Sequence, residues 1–537
     1  MAEFLNCIKN YNLIFLLIYP KKNKFKNIET IFLLKYHKKI KIFWRIEMPQ
    51  KSLKKNAIYN FIKCFMNVIF PVISFPYASR ILMPDGIGAI NFANSIIEYF
   101  IMIAGLGISA YATREAAKIR DNKDELTKFT KEIILFNLIT TIISYAMLTF
   151  CLFFISKFNS YRILIILCSS KILFSTIGIN WFYTANEEYG YITLRHTIFQ
   201  AVSLILLFLF VKSKDDYLIY AGIGVFSNVG ANIFNFIYVR KFINIFEKTK
   251  INLSKHVKPV FVFFGVSAAG KVNSLLDTIM LGFIAGNLGV GLYSAARKLE
   301  KMIQELITSI ISTFMPRTSY LLEKKKENEY QNLINKVFNI TFFFSIPTAI
   351  GLFFLAEPLT MIFCGEKYLD SVITMKLLSV CIILLSFNSY LNNLILTPNG
   401  LEKFMLYAQI ISLVANASLN WFFISQGLKH GIKWSVFGAG IATLMVDFIV
   451  PIVKIIPCWK YIKNKSNFIN FLKVIAGTVL MSVSLKIINI IFYSNWSKIF
   501  ISVVTSSILY AVIEIALKHP SAKLIILTIK NKISRTK

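Results

Sequence analysis

Acidic residues are scarce in this sequence: 27 Asp and Glu stand against 60 Lys and Arg in 537 residues, and the charged types together make up only 16% of the chain. A water-soluble protein of this length carries about a quarter charged residues, so a soluble globular class is excluded. Metal and disulfide patterns are missing as well. The seven cysteines (Cys7, Cys64, Cys151, Cys168, Cys364, Cys381, Cys458) are scattered, mostly through apolar runs, without a C-x-x-C pair, and the five histidines are equally dispersed. Metal and disulfide frameworks need close, paired spacings. No H-E-x-x-H, P-loop or G-x-S-x-G element occurs, which leaves enzyme chemistry without a motif and names no catalytic or metal-binding residue.

What is present is apolar sequence. Hydrophobic residues make up 56% of the chain, the mean hydropathy is +0.60, and apolar runs of roughly 20 residues, the length a helix needs to cross a bilayer, recur along it. The expected class is an all-α polytopic membrane protein with about fourteen transmembrane helices, the first at 57–80 and the last at 497–517. The net charge of +33 sits in short loops between apolar runs. Anionic lipid headgroups on the cytoplasmic face account for it more simply than nucleic acid does.

Residues 1–47 hold ten Lys and Arg against three Glu. Their apolar bursts are too short to span, and no signal-peptide h-region and cleavage site appear. We read this segment as a basic extension with Met48 as the native start, the alternative being an amphipathic surface segment. Beyond it, Lys and Arg alternate between rich and poor loops. The segments 112–131 and 240–258 carry six each, and 316–334 and the C-terminal tail are also basic. The positive-inside rule then places both termini in the cytoplasm.

The chain repeats itself. A shift of 203 residues carries Gly86-Ile87-Gly88 onto Gly289-Val290-Gly291, Ala93 onto Ala296 and Arg114 onto Arg317, and a shift of 213 carries Asn186 onto Asn399. A repeat of six helices keeps one orientation, so the halves are related by an axis along the membrane normal. The expected organisation is the extension 1–47, a first six-helix lobe at 48–250, a second at 251–460, and two extra helices with a basic tail at 461–537.

Polar residues inside the apolar runs single out a site. In the eighth predicted helix (289–315), Arg297, Glu300, Lys301, Gln304, Glu305, Thr308 and Ser312 recur at steps of three and four, a polar stripe that belongs in a hydrated cavity because charge at mid-bilayer costs about 3 kcal/mol. Its repeat mate, the second helix, carries Asn91, Asn94, Ser95 and Glu98; under the shift Asn94 falls on Arg297 and Glu98 on Lys301. We therefore expect Glu98 and Lys301 to face each other. In the seventh helix Lys271, Ser274 and Asp277 share a face, and Lys298 falls off the eighth-helix stripe. Lys171, Arg195 and Asp447 are weaker candidates, while Arg80, Arg114 and Arg317 sit at helix ends and are expected to snorkel.

Family resemblance enters on particular residues: Phe75-Pro76-Tyr77, Arg80-Ile81-Leu82 and Gly86-Ile87-Gly88; Trp181-Phe182-Tyr183 with Glu187; Leu276-Asp277 through Gly289-Val290-Gly291-Leu292-Tyr293-Ser294-Ala295-Ala296-Arg297-Lys298; Thr397-Pro398-Asn399-Gly400; and Asn416 to Asn420 before Gly438-Ala439-Gly440-Ile441-Ala442. The chain from about Met48 onward resembles Wzx-type polysaccharide (O-antigen repeat-unit) flippases of the multidrug/oligosaccharidyl-lipid/polysaccharide exporter superfamily. The resemblance implies a V-shaped, MATE-like pair of six-helix lobes in a bacterial cytoplasmic membrane. It also implies movement of undecaprenyl-diphosphate-linked oligosaccharide to the outer leaflet by alternating access, for surface polysaccharide synthesis, alongside polymerase and chain-length machinery.

In related lipid II flippases an arginine at the position matching Arg297 helps bind the pyrophosphate. Arg297, Lys271 and Lys301 are therefore the expected substrate-binding cations. Phe75 and Pro76 stand near the place of another cavity arginine, a departure for which Lys271 compensates in part. Asp277, Glu98, Asn94, Glu300, Gln304 and Glu305 are the polar or coupling candidates, for H+ or Na+, and no resident cofactor is expected. Two other readings compete. A cation-coupled drug exporter favours an acidic cavity, and a membrane-embedded polymerase or ligase needs a larger outer loop than 356–371.

Overall fold

Proline and glycine decide where the first and second passes, and the seventh and eighth, break. In the computed structural model, which describes residues 53–243 and 251–523, α1 (Leu53–Gly105) runs through two passes and breaks at Met83, whose φ is 58° and ψ 174°. Pro84 follows it, and proline pushes the preceding residue out of the helical region. In the second repeat, α9 (Ser254–Ile284) ends at Ala285, and Gly286 turns left-handed at φ 73° before α10 (Gly286–Ser312) begins. Glycine takes that conformation without a Cβ clash. Met83 and Gly286 are 203 residues apart, so the break itself obeys the sequence repeat.

Between these pairs the first repeat continues with α2 (Ile108–Ile119), α3 (Lys123–Phe154), α4 (Arg162–Ile177), α5 (Asn180–Ala185), α6 (Tyr189–Phe210), α7 (Tyr217–Val225) and α8 (Asn232–Tyr238). The second continues with α11 (Met315–Glu323), α12 (Glu327–Phe363), α13 (Val372–Ser379), α14 (Cys381–Tyr390), α15 (Glu402–Leu428) and α16 (Ile432–Ile462), after which come α17 (Lys465–Ile491) and α18 (Asn495–Ala516). Among the described residues no strand occurs. Phe153, Phe154, Trp421 and Ile456 stand exposed on the outside, where lipid is their solvent, while backbone polar groups are satisfied within the helices. The described residues from Ala57 onward form one compact unit.

Among the described residues, eleven helices are long and apolar enough to cross a membrane, or twelve if the pair Ser254–Gly265 and Ser267–Ile284, bent by 41°, is one span. That tally takes Ile69–Ile119 once despite the break at Met83, and it omits the charged helix α10. The expected fourteen is compatible with this arrangement. The expected extension 1–47 and most of the basic tail lie outside the described residues.

At the end of the bundle that carries the two breaks, the repeats meet backbone to backbone. A Cβ added at Gly88 would lie 1.8 Å from the carbonyl oxygen of Asn287, and one at Gly291 would lie 2.0 Å from that of Pro84. Pro84 and Asn287 are themselves repeat mates, so the seam is one contact made twice about a pseudo-two-fold axis. Arg80 is exposed, and its guanidinium donates to the carbonyl of Ile362 at 2.5 Å, tying α1 to the end of α12. At the opposite end, buried Glu132 of α3 accepts from Lys255 at 2.7 Å and from His256 at 3.0 Å at the start of α9, and Tyr111 of α2 hydrogen-bonds the same imidazole at 2.8 Å.

Candidate functional site

A polar cavity of about 290 Å³ opens between the second half of α1, the middle of α9 and the first half of α10. From α1 it receives Asn91, Asn94, Ser95 and Glu98, from α9 Ser274, Asp277 and Thr278, and from α10 Ser294, Arg297, Lys298 and Lys301. Three cations thus project from one helix face, opposite two amides. Steps of three and four residues bring these groups onto one side of each helix.

Arg297 is held from behind. Its guanidinium donates to Glu300 at 2.8 Å, and the Glu300 side chain is wholly buried while that of Arg297 keeps 16% exposure. Glu300 is therefore the inward anchor of Arg297 and not a cavity group. Gln304 also turns inward, accepting from Ser386 of α14 at 3.1 Å and donating to Thr308 at 3.0 Å. Glu305 is exposed one turn past Lys301. Lys298, expected off the stripe, lines the cavity and sits 5.7 Å from the Phe75 ring centroid. The cavity face is turned toward Lys298 from the stripe that polarity alone suggests, because Glu300 and Gln304 are polar for internal reasons.

Glu98 does not meet Lys301. Its carboxylate pairs with Lys271 of α9 at 2.6 Å, both side chains being more than a third exposed. Beside it, the Tyr99 hydroxyl donates to the carbonyl of Val272 at 3.0 Å. The second half of α1 runs along α9, so its ion partner comes from that neighbour and not from its repeat mate on α10.

Asp277 is buried yet borders the cavity. Tyr293 donates to its Oδ2 at 2.8 Å, Asn420 of α15 to its Oδ1 at 2.8 Å, and Thr443 of α16 to Oδ2 at 3.2 Å. Asn416 hydrogen-bonds Asn420 and reaches Asn273 at 2.9 Å. Asn420 keeps its Oδ1 buried with no hydrogen bond to a described residue. Residue patterns alone do not reveal this oxygen-rich shell; its one signal in the sequence is the Asn416/Asn420 spacing. Arg195 is structural: it donates to Asn232 and Asn180 at 3.1 Å and braces the break before α5. Buried Lys454, another unexpected cation, donates to Asn388 and Asn392 at 2.8 and 3.0 Å inside the second repeat.

The family model for polysaccharide biosynthesis proteins matches residues 53–322, half of the chain. The chain belongs to this family. A relative from Escherichia coli (strain K12), named for O-antigen transport, is 27% identical over 371 residues, covering 68% of this chain and 89% of its own length. A capsular polysaccharide biosynthesis protein of Staphylococcus aureus is 24% identical over 341 residues, covering 60% and 81%.

Among solved structures, the lipid II flippase MurJ in an inward closed conformation superposes with a TM-score of 0.68 at 18% identity, over 86% of this chain and 98% of MurJ. An inward-facing MATE multidrug transporter superposes at 0.57 with 12% identity, over 76% and 99%. At such identities the likeness shows the fold alone. This polysaccharide biosynthesis protein is a multi-pass membrane protein with a MATE-like fold, and the proteins it resembles include ones named as transporters and flippases.

Proposed function

We propose that this polysaccharide biosynthesis protein flips undecaprenyl-diphosphate-linked oligosaccharide repeat units across the bacterial cytoplasmic membrane by alternating access. The observation that carries the reading is the cation face of α10, where Arg297, Lys298 and Lys301 line a polar cavity. A diphosphate brings about two negative charges, and charge-assisted hydrogen bonds from Arg and Lys are the strong ones for such a group. Asn91, Asn94, Ser95 and Ser294 meet sugar hydroxyls on the other walls, and the isoprenoid stays in lipid. A wall of three cations repels cationic drugs, which argues against the exporter reading.

In this reading the repeats are lobes of 48–250 and 251–460 with two added helices, both termini are cytoplasmic, and the glycine seam closes the outer end. Asp277, in its shell of amide and hydroxyl groups, is the coupling site for H+ or Na+. Polymerase and chain-length proteins receive the product. A deletion strain is expected to accumulate lipid-linked repeat units on the cytoplasmic leaflet, rescued by the wild-type chain and not by Arg297→Ala. Normal surface polysaccharide in the deletion strain overturns the function; full rescue by the variant overturns only the site.

A further inference from the structure

Lys171 lies on α4, behind the cavity wall of the first repeat, with only 8% of the residue exposed. Its ammonium donates to Oδ1 of Asn94 at 2.6 Å. Among the described residues no carboxylate lies within ion-pair distance of it. An ammonium buried against a neutral amide is a costly placement, and the contact it makes has a chemical consequence. Lysine offers only donors, and an asparagine amide has an accepting oxygen at one end and two N–H donors at the other. With Lys171 on the oxygen from the α4 side, the amide cannot turn over, and its N–H groups are left for the cavity that Asn94 lines.

Asn94 is also the repeat mate of Arg297, 203 residues on, and both border the same cavity. Glu98, one turn beyond Asn94, would oppose an anion there, but its charge is taken by Lys271 at 2.6 Å. The first-repeat wall is thereby left with a fixed donor backed by a buried positive charge. We propose that Lys171 is a positioning residue that holds Asn94 as the first-repeat jaw of a two-sided clamp on a diphosphate, with Arg297 as the second-repeat jaw. This rests on the flippase reading above and adds to it the residue pair that makes recognition two-sided.

The test is equilibrium binding of undecaprenyl diphosphate to the full chain in phosphatidylcholine nanodiscs, with undecaprenol as the uncharged probe and phosphatidylglycerol as the competing phosphate headgroup. Lys171→Met and Asn94→Ala are each expected to weaken undecaprenyl diphosphate binding about tenfold, and their double variant no further, since they act as one unit. Asn94→Asp, which keeps the acceptor for Lys171 and faces the anion with negative charge, is expected to weaken it by more than about tenfold. Lys171→Arg restores binding, and undecaprenol binding moves in none of them.

Wild-type affinity in both Lys171→Met and Asn94→Asp, with loss in Arg297→Ala, overturns the clamp and leaves the flippase site standing. Wild-type affinity in Arg297→Ala as well overturns that site and the clamp with it. Competition by phosphatidylglycerol as strong as that by undecaprenyl diphosphate overturns the assignment of the clamp to a diphosphate. Should Lys171→Met fail to insert, Asn94→Ala and Asn94→Asp in the Lys171 background decide the matter.

Discussion

Met83 in the first repeat and Gly286 in the second both turn to positive φ, at 58° and 73°, and the glycines that follow, Gly88 and Gly291, each press on a backbone carbonyl of the other repeat. Side chains at equivalent places do not match. Ser74 stands where Asp277 stands, Asn94 where Arg297 does and Glu98 where Lys301 does. Arg80, whose guanidinium reaches the carbonyl of Ile362, is the counterpart of Phe283, which packs on the Phe158 ring 6.1 Å away. Two regions with one backbone plan thus carry different chemistry. Backbone-to-backbone contact leaves no room for variation, whereas a group facing a cavity answers to a ligand that has no two-fold symmetry.

The largest effect should follow from breaking the symmetric part. Gly88→Ala and Gly291→Ala each place a Cβ within 2.0 Å of a carbonyl oxygen, and no side chain is there to give way. Each variant is expected to abolish surface polysaccharide export and to make a cysteine at position 94 reactive to a membrane-impermeant maleimide added from outside the cell. Gly222→Ala is the control, because nothing lies within 4 Å of the added atom. Normal export in both seam variants would show that this contact opens freely.

The seam is legible in the amino-acid sequence, since Gly86-Ile87-Gly88 and Gly289-Val290-Gly291 align at one shift, and so is the special character of α10. The orientation of α10 is not. Polarity marks a residue that avoids lipid, and Glu300 and Gln304 avoid it by facing the second repeat's interior, so they pull the inferred stripe away from Lys298. Nor is the partner of Glu98 legible. A two-fold axis places repeat mates opposite one another, but the neighbour along the seam is α9, and only folding brings Lys271 there. Lys171 illustrates a third limit: a lone lysine in an apolar run names no partner, and Asn94 lies 77 residues away.

A smaller effect separates the role of Arg297 in the fold from its role in the cavity. Arg297→Ala leaves Glu300 as a wholly buried carboxylate without its ion partner, and loss of one member of such a pair costs about 3–5 kcal/mol. Arg297→Ala should therefore lower the melting temperature of the purified protein, and adding Glu300→Gln should restore much of it, because a neutral amide tolerates the site. Export should remain absent in the stable double variant. Recovery of export together with stability would assign Arg297 to the fold alone and erase the asymmetry between it and Asn94.

The smallest effect belongs to Glu98 and Lys271, whose side chains are 35% and 41% exposed. Water screens a pair this open, so breaking it costs at most about 1 kcal/mol, and thermal unfolding should barely register Glu98→Lys or Lys271→Glu. Export should register both. The first puts a fourth cation in the cavity and the second leaves two carboxylates facing the ligand. The double swap should return export toward the wild-type level, since the pair regains its neutrality with the ends exchanged, whereas Glu98→Lys combined with Lys301→Glu should not. Rescue by the Lys301 combination instead would mean that the repeat mates face each other after all and that α9 is only a bystander to the first-repeat wall.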